Sequence, residues 1–365
     1  MVGKKTALVT GGAGFIGRHI VRDLLARGTE VRVLDLHAGR LPPHKNLSRI
    51  AGSILERDVL WSAMEGVSDV FHLAGTAELW LPKEEEFHRL NVIGTEEVLV
   101  AAKALNIETV VVTSTDVILK GWRNKSAEPI NETTPLPARD AVPGAYCRSK
   151  WDALKVAENA AQDGQNVIIV HPTVPVGAND PSMTPPTRMI ADFLQGKNPA
   201  YLDCILDLVS VEDVAQAHVR AAEVGKPGKR YIIGGETIKL SELLSHIEEI
   251  SGRKMPTLQI PFFLAHTVGI ISSFLAGLTG KKPRAPLSGV RLARTPMIVD
   301  CSQTRTLLDV SRTPVKDAVS DLIAWLNASQ SMQPASFEWK QTESESAVSE
   351  WVEPLEWPVQ AAKSS

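Results

Sequence analysis

Cysteine, surplus charge and long apolar runs are what this chain of 365 residues has little of. Its three cysteines, Cys147, Cys204 and Cys301, are odd in number and far apart. They argue against a disulfide framework and fit a reducing compartment. No CxxC pair or tight His/Cys cluster suggests a metal, and none is expected. Lysine and arginine total 39 against 42 acidic residues, giving a net charge of −3 and a pI near 6.3. Nucleic acid wants a basic face, and this balance gives no reason to expect it as a partner. The opening MVGKK leads straight into an apolar strand, leaving no room for a signal peptide, so a cytoplasmic protein is expected. One stretch, Leu258 to Thr279, is long and apolar, but it carries Pro261, His266, Gly269 and a serine pair. A membrane-spanning helix is a poor fit there. The length still allows one large α/β core, or one plus a smaller lobe.

What is present is organised around residues 6–35. Ala7-Leu8-Val9-Thr10 reads as a buried parallel strand. Gly11, Gly14 and Gly17 follow at intervals of three, and Ile16 to Arg27 has apolar residues at helical spacing, ended by Gly28. A second strand runs from Glu30 to Asp35. A strand, glycine turn, helix and strand in this order form a phosphate cradle. Missing side chains let a pyrophosphate reach the backbone, and the N–H groups at the helix start attract its charge. Asp35, eighteen residues beyond Gly17, stands about where an acid would bind the adenosine ribose.

Further strands are expected at Ile50–Ser53, Asp69–Gly75, Thr109–Thr113 and Asn166–His171, with helices between them, including one over Glu84–Leu105. Such alternation implies right-handed crossovers and a doubly wound, Rossmann-type parallel sheet of class α/β. Ligands in such sheets sit beyond the carboxyl ends of the strands, so the loops at Gly11, Gly75 and Thr115 should converge. Residues 1–174 are expected to form the dinucleotide-binding core. Residues 175–328 should hold a smaller substrate lobe together with returning core elements. From about 329 the chain has six glutamates against two lysines and reads as a flexible acidic tail. Trp339, Trp351 and Trp357 are unusual in such a tail and suit a docking arm.

Tyr146 and Lys150 are four apart and share a helix face. A phenol titrates near pH 10, and an ammonium alongside would stabilise the phenolate and lower that value. Tyr146 could then pass a proton to or from a substrate oxygen while hydride moves to or from a nicotinamide. Lys150 could hold the ribose hydroxyls, and Thr115 or Ser114 could hydrogen-bond the same substrate oxygen.

These residues resemble the extended short-chain dehydrogenase/reductases, the NAD-dependent epimerase/dehydratase family. The matches run in order: TGGAGFIG at Thr10–Gly17, Asp35, HLAG at His72–Gly75, NVIGT at Asn91–Thr95, TSTD at Thr113–Asp116 and YCRSK at Tyr146–Lys150. HPTVPVG at His171–Gly177, LVSVEDVAQAH at Leu208–His218 and YIIGG at Tyr231–Gly235 follow, so the resemblance spans about residues 5–325. Within the family, the chain is most similar to hopanoid-associated sugar epimerases and to dihydroflavonol reductase/3β-hydroxysteroid dehydrogenase-like proteins. The resemblance implies that Gly11, Gly14, Phe15, Ile16 and Gly17 lie on the pyrophosphate and Asp35 on the adenosine ribose. It places Ser53 and Ile54 by the adenine and Ala74 near the nicotinamide ribose. Pro172 and Val174 would hold the carboxamide, and Thr115, Tyr146 and Lys150 would be catalytic. Ser53 replaces an acid usual in relatives, and Val117 replaces the glutamate that follows Ser-Thr-Asp in sugar-nucleotide dehydratases, which argues against dehydration.

The leading expectation is an NAD-dependent oxidoreductase acting on a secondary alcohol or its ketone. Asp35 favours NAD, because a carboxylate repels the extra phosphate of NADP, although Arg40 lies nearby. The alternatives are a nucleotide-sugar epimerase with tightly held NAD and a non-catalytic dinucleotide-sensing module. The apolar Leu258–Thr279 segment suggests a lid over a bulky apolar substrate such as a steroid, terpenoid or flavonoid-like ring system. Residues 258–284, ending in Lys281, Lys282 and Arg284, also suit peripheral contact with a membrane surface. A homodimer is compatible with the sequence.

Overall fold

Short β-branched runs alternating with helices build a seven-stranded sheet that is parallel throughout. The computed structural model describes residues 5–283 and 285–331; Arg284 and the tail tryptophans Trp339, Trp351 and Trp357 lie outside the described residues. The first half runs β1 (Thr6–Thr10), α1 (Phe15–Ala26), β2 (Glu30–Asp35), β3 (Leu47–Ala51), α2 (Arg57–Met64), β4 (Asp69–His72), α3 (Glu85–His88), α4 (Gly94–Ala104) and β5 (Thr109–Thr113). It continues with α5 (Gly144–Gln162), β6 (Val167–Pro172), β7 (Val174–Val176), α6 (Pro185–Leu194), β8 (Ala200–Tyr201), β9 (Ile205–Ser210), α7 (Val211–Val224) and β10 (Arg230–Ile233). The remainder is β11 (Glu236–Lys239), α8 (Leu240–Ser251), β12 (Leu258–Gln259), α9 (Phe262–Thr279), α10 (Leu287–Ala293), α11 (Ser302–Leu308) and α12 (Val315–Ser331).

The strand order is β10-β6-β5-β4-β1-β2-β3. Building outward in one direction from β1 and then in the other from β4 opens a crevice between those two strands, where this architecture takes its ligands. Alternate side chains fill the two faces. Leu8, Val70, Val110 and Ile169 pack towards α2, α4 and α5, and Val9, Phe71, Val111 and Val170 towards α1 and α7. A third core lies apart, where α6, α8 and α12 close on β7 and β9. There β7, β9 and β11 form a small mixed sheet.

Three elements differ from expectation. The third strand is Leu47–Ala51, earlier than Ile50–Ser53, because its register sets Leu47 to Ala51 against Val31 to Asp35. As an edge strand it is only half-buried, so its apolar signal is weak. The fourth strand stops at His72, after which Gly75 (φ 155°) turns the chain. The helix expected over Glu84–Leu105 contains a π-type turn at Arg89–Ile93, which turns Asn91 inward.

Candidate active site

The glycine turn leaves β1 in a geometry that side chains would block. Gly11 has φ 71°, and a Cβ there would lie 2.7 Å from the Ala74 nitrogen. A Cβ on Gly17 would come within 2.3 Å of the Gly11 carbonyl oxygen. The turn therefore packs β1, β4 and the start of α1 too closely for any larger residue. Gly14 caps α1 in extended conformation, with no acidic residue in the first turn. Helix geometry leaves the first N–H groups, those of Phe15, Ile16 and Gly17, without intrahelical acceptors, an arrangement suited to a pyrophosphate.

At the end of β2, Asp35 accepts hydrogen bonds from the backbone N–H of Ala13 (3.0 Å) and of His37 (2.7 Å). The carboxylate is thereby fixed beside the turn. Arg18 is buried under the same turn and donates to the Ala13 carbonyl at 3.1 Å. Burial pulls its guanidinium down to about 10, and the nearby Arg40 adds to the effect while Asp180 and Asp35 oppose it. Sequence reasoning passed over Arg18, whose place inside an amphipathic helix gave no signal. Ser53 accepts from the Leu55 N–H at 3.2 Å. The Ile54 side chain faces inward, against the α-carbon side of Gly94, which leaves its backbone for a ligand.

A buried relay stiffens the crevice floor. Thr95 donates its hydroxyl proton to the Asn91 carbonyl at 2.6 Å, so it must accept from His72 Nε2, 3.0 Å away. His72 Nδ1 is then the acceptor for the Thr10 hydroxyl at 2.8 Å. Burial holds His72 neutral, with its pKa pulled down to about 3. Asn91 does comparable work beside it. Its Oδ1 accepts from the Thr76 N–H (2.9 Å), its Nδ2 donates to Ser149 Oγ (2.9 Å), and Ser149 in turn donates to the Tyr146 carbonyl (2.8 Å). The loop after β4 is thus tied to α5. The NVIGT motif marked these residues without revealing what they touch.

Thr115, Tyr146 and Lys150 come together as the sequence implied, at the carboxyl end of β5 and one turn apart on α5. Thr115 and Tyr146 are almost buried, with 9 % and 8 % of their surface exposed. Lys150 Nζ donates to the Thr113 carbonyl at 2.8 Å, and burial pulls its pKa down to about 8. Burial pushes the Tyr146 phenol well up, opposed by a hydrogen bond from the Thr115 side, and the Lys150 ammonium is not among the groups lowering it. His171 Nδ1 lies 3.0 Å from the Thr115 carbonyl oxygen and fixes that strand end from behind. Asp116, fully buried next to Thr115, is raised to about 7 by burial and then by the Asp207 carboxylate. Ala74 lies on the β4 side of the crevice, where its N–H donates to Thr10 Oγ1 at 3.3 Å. Pro172 and Val174 flank the β6–β7 junction, where the Thr173 N–H donates to the Ile233 carbonyl at 3.1 Å.

The rim of the crevice is built from distant pieces. Glu78, in the loop after β4, pairs with Arg188 of α6 at 3.1 Å and with Lys282 beyond α9. Ser288 of α10 donates to the Leu79 carbonyl at 2.8 Å, and a Cβ on Gly144 would lie 2.8 Å from Ser288. The helix anticipated in Leu258–Thr279 does form, but its large side chains face solvent. Gly269 and Ala276 are its buried residues, and α10 lies beneath it.

Comparison with known proteins agrees with this geometry. Residues 7–234 match the model of the NAD dependent epimerase/dehydratase family. A Synechocystis sp. protein provisionally named dihydroflavonol 4-reductase is 34 % identical over 325 residues, 87 % of this chain and 93 % of that one. Sterol demethylase protein B of Methylococcus capsulatus is 29 % identical over 332 residues, covering 88 % and 98 %. Among solved structures, MoeE5 in complex with UDP-glucuronic acid and NAD shares the fold, with TM-score 0.70, 24 % identity and coverage of 89 % and 99 %.

Proposed function

Because the chain belongs to the NAD-dependent epimerase/dehydratase family, we propose that it interconverts a secondary alcohol and a ketone on a bulky apolar ring substrate, with NAD as hydride carrier. The observation that carries this reading is the approach of Thr115, Tyr146 and Lys150 at the β5 end, across the crevice from the glycine turn. The turn fits a dinucleotide, since Gly14 opens α1 with no acidic residue in its first turn and the N–H groups of Phe15, Ile16 and Gly17 have no intrahelical acceptors to occupy them.

Gly14, Phe15, Ile16 and Gly17 would hold the pyrophosphate, Asp35 the adenosine ribose, and Lys150 the second ribose. The bound nicotinamide supplies hydride exchange with the substrate carbon. Tyr146 donates its hydroxyl proton to the substrate oxygen on reduction and takes it back on oxidation. Thr115 hydrogen-bonds the same oxygen and orients it. The Lys150 ammonium, one helical turn from the phenol, would favour the phenolate that the proton transfer leaves behind. Asp35 supports NAD over NADP, because its fixed carboxylate repels a 2′-phosphate. Arg18 and Arg40 act in the opposite direction, so the preference is expected to be moderate.

The apolar substrate class is supported by how the candidate diphosphate ligands are used. Arg188 is committed to Glu78 and the Met183 carbonyl, and Arg253 to the Leu194 carbonyl. Arg294 lies 4.5 Å over the Phe262 ring. Arg291, stacked 4.9 Å over Trp122, keeps a buried Nε without a partner. Of these described candidates, Arg188 and Arg253 are therefore already held by protein acceptors, which weighs against a sugar diphosphate. The name of the Methylococcus relative, a sterol protein, points the same way. The test is to assay NADH- and NADPH-dependent reduction of hydrophobic cyclic ketones, alongside thermal stabilisation by UDP- and dTDP-sugars. Reduction of the ketones with NADH preferred is expected. Stabilisation by a nucleotide sugar with no ketone turnover would favour the epimerase instead.

A further inference from the structure

Helix α9 turns its most apolar face outward. Among the described residues, eight of the fourteen exposed large apolar side chains lie on this one helix, each 47–72 % exposed. Phe263, Ile270, Phe274 and Leu278 form one row, and Leu264, Val268, Ile271 and Leu275 a second. At 3.6 residues per turn the two rows cover an arc of about 160°. The opposite side carries Ala265, Gly269, Ser272, Ser273 and Ala276. It packs on α10, with a Cβ on Gly269 falling 3.3–3.5 Å from Val290 and Leu287, and the Leu287 N–H donates to Ser273 Oγ at 3.0 Å. From Phe262 to Thr279 the helix has no lysine, arginine, aspartate or glutamate. After Gly280 come Lys281, exposed, and Lys282, paired with Glu78.

We propose that α9 is a membrane-surface anchor, lying flat among the headgroups and upper acyl chains of an anionic bilayer. The width of the arc decides against a partner helix, whose seam covers a narrower stripe of a/d positions. A fluid of acyl chains can wrap the whole arc. The helix is long and apolar enough to cross a membrane by length and composition, but its ends are held to the protein body. Before it, β12 pairs with β8; along it, α10 packs on its small-residue side. Spanning would strip both contacts, whereas lying flat keeps them. An interfacial helix ordinarily needs a polar face of its own, and here the folded domain takes that part. Lys281 at the C-terminal end, set in a chain of net charge −3, gives the site local complementarity to anionic lipid, whereas Lys282 is paired with Glu78.

The anchor also sits beside the crevice. α10 lies between α9 and the rim, touching Leu79 and the Gly144 start of α5. A water-insoluble ketone dissolved in the bilayer would reach the crevice mouth without crossing water. That route rests on the apolar-substrate reading above; the anchor itself rests on α9 alone.

The test is co-sedimentation of the full chain with vesicles of phosphatidylcholine, alone and mixed with phosphatidylglycerol. Sedimentation with the mixed vesicles is expected, weakened by high salt. Phe263→Ser, Phe274→Ser and Leu278→Ser together should weaken it by at least about tenfold while leaving NADH binding unchanged. Lys281→Glu should weaken binding to the mixed vesicles severalfold. Absence of the wild-type chain from both pellets would overturn the proposal, as would a triple variant that sediments like wild type. A wild-type dimer that the triple variant dissociates, with no vesicle binding, would assign the face to a second copy instead. Turnover of a ketone presented in detergent tests the catalytic reading separately, since the triple substitution leaves the crevice intact.

Discussion

Helices α5 and α9 are nearly equal in length, 19 and 18 residues, and opposite in how they use it. α5 is the more polar, yet it buries Tyr146, Cys147, Ala153, Leu154 and Ala157 against the sheet. α9 is apolar almost throughout and buries only a glycine and an alanine. Apolar content therefore does not decide burial here; the neighbour does. α5 follows β5 and must cross back to β6, so the sheet face is its obligatory partner. α9 lies outside any such crossover, and its small residues fit α10 while its large ones have nowhere inward to go. A helix set between a sheet and a crevice is constrained on every side, and one that only packs by its small face is free on the other.

The largest expected effect separates the two helices by stability. Leu154 is 1 % exposed and Leu278 71 %. Leu154→Ala should cost about 2–5 kcal/mol, whereas Leu278→Ala should stay within about 0.5 kcal/mol. Paired denaturant titrations check this, and comparable losses at the two sites would dissolve the contrast.

Next in size is chemistry on α5. Tyr146→Phe should lower turnover by at least ~10² with unchanged melting temperature and cofactor affinity. Unchanged turnover would place the proton donor elsewhere. A smaller effect concerns Lys150, whose buried ammonium has a pKa near 8. Below that value it is charged and can hold a ribose; above it the charge is lost. NADH affinity should therefore fall as pH rises through about 8, and Lys150→Met should flatten the profile as well as weaken binding. Isothermal titration across pH measures both.

The smallest expected effect is on Asp116. Its carboxyl is raised from 3.8 to about 7 in the folded chain, so between those values the native state holds a proton that the unfolded chain has released. This contribution makes stability fall as pH rises from about 4 to 7. Asp116→Asn should accordingly raise the melting temperature by a few degrees at pH 8 and leave it nearly unchanged at pH 4. An equal shift at both values would mean that the carboxylate charge is not the cause.

The cofactor half was readable because its signals are local. Gly11, Gly14 and Gly17 stand within one turn, Asp35 closes the next strand, and Tyr146 and Lys150 share a helix face. What escaped is held by partners distant in sequence. Arg18 answers to a bend in the backbone, Asn91 to a π-type turn that no spacing announces, and Lys150 to the Thr113 carbonyl. Burial raises the Tyr146 phenol, an effect the sequence hides, since it shows which charges lie nearby but not how much water is removed. For α9 the apolar run predicted a helix but not its rotation. The small residues Ala265, Gly269, Ser272 and Ala276 carried that information, because close helix contact selects small side chains on the packing side.

Glu78 joins parts of the chain without bracing them. One carboxylate grips Arg188 on α6 and Lys282 past α9, so three separate parts of the chain meet over the crevice mouth through a single side chain. Partly exposed ion pairs contribute little to stability and are screened as electrolyte is added. A clasp of this kind is therefore a poor brace: modest salt would loosen it without unfolding anything.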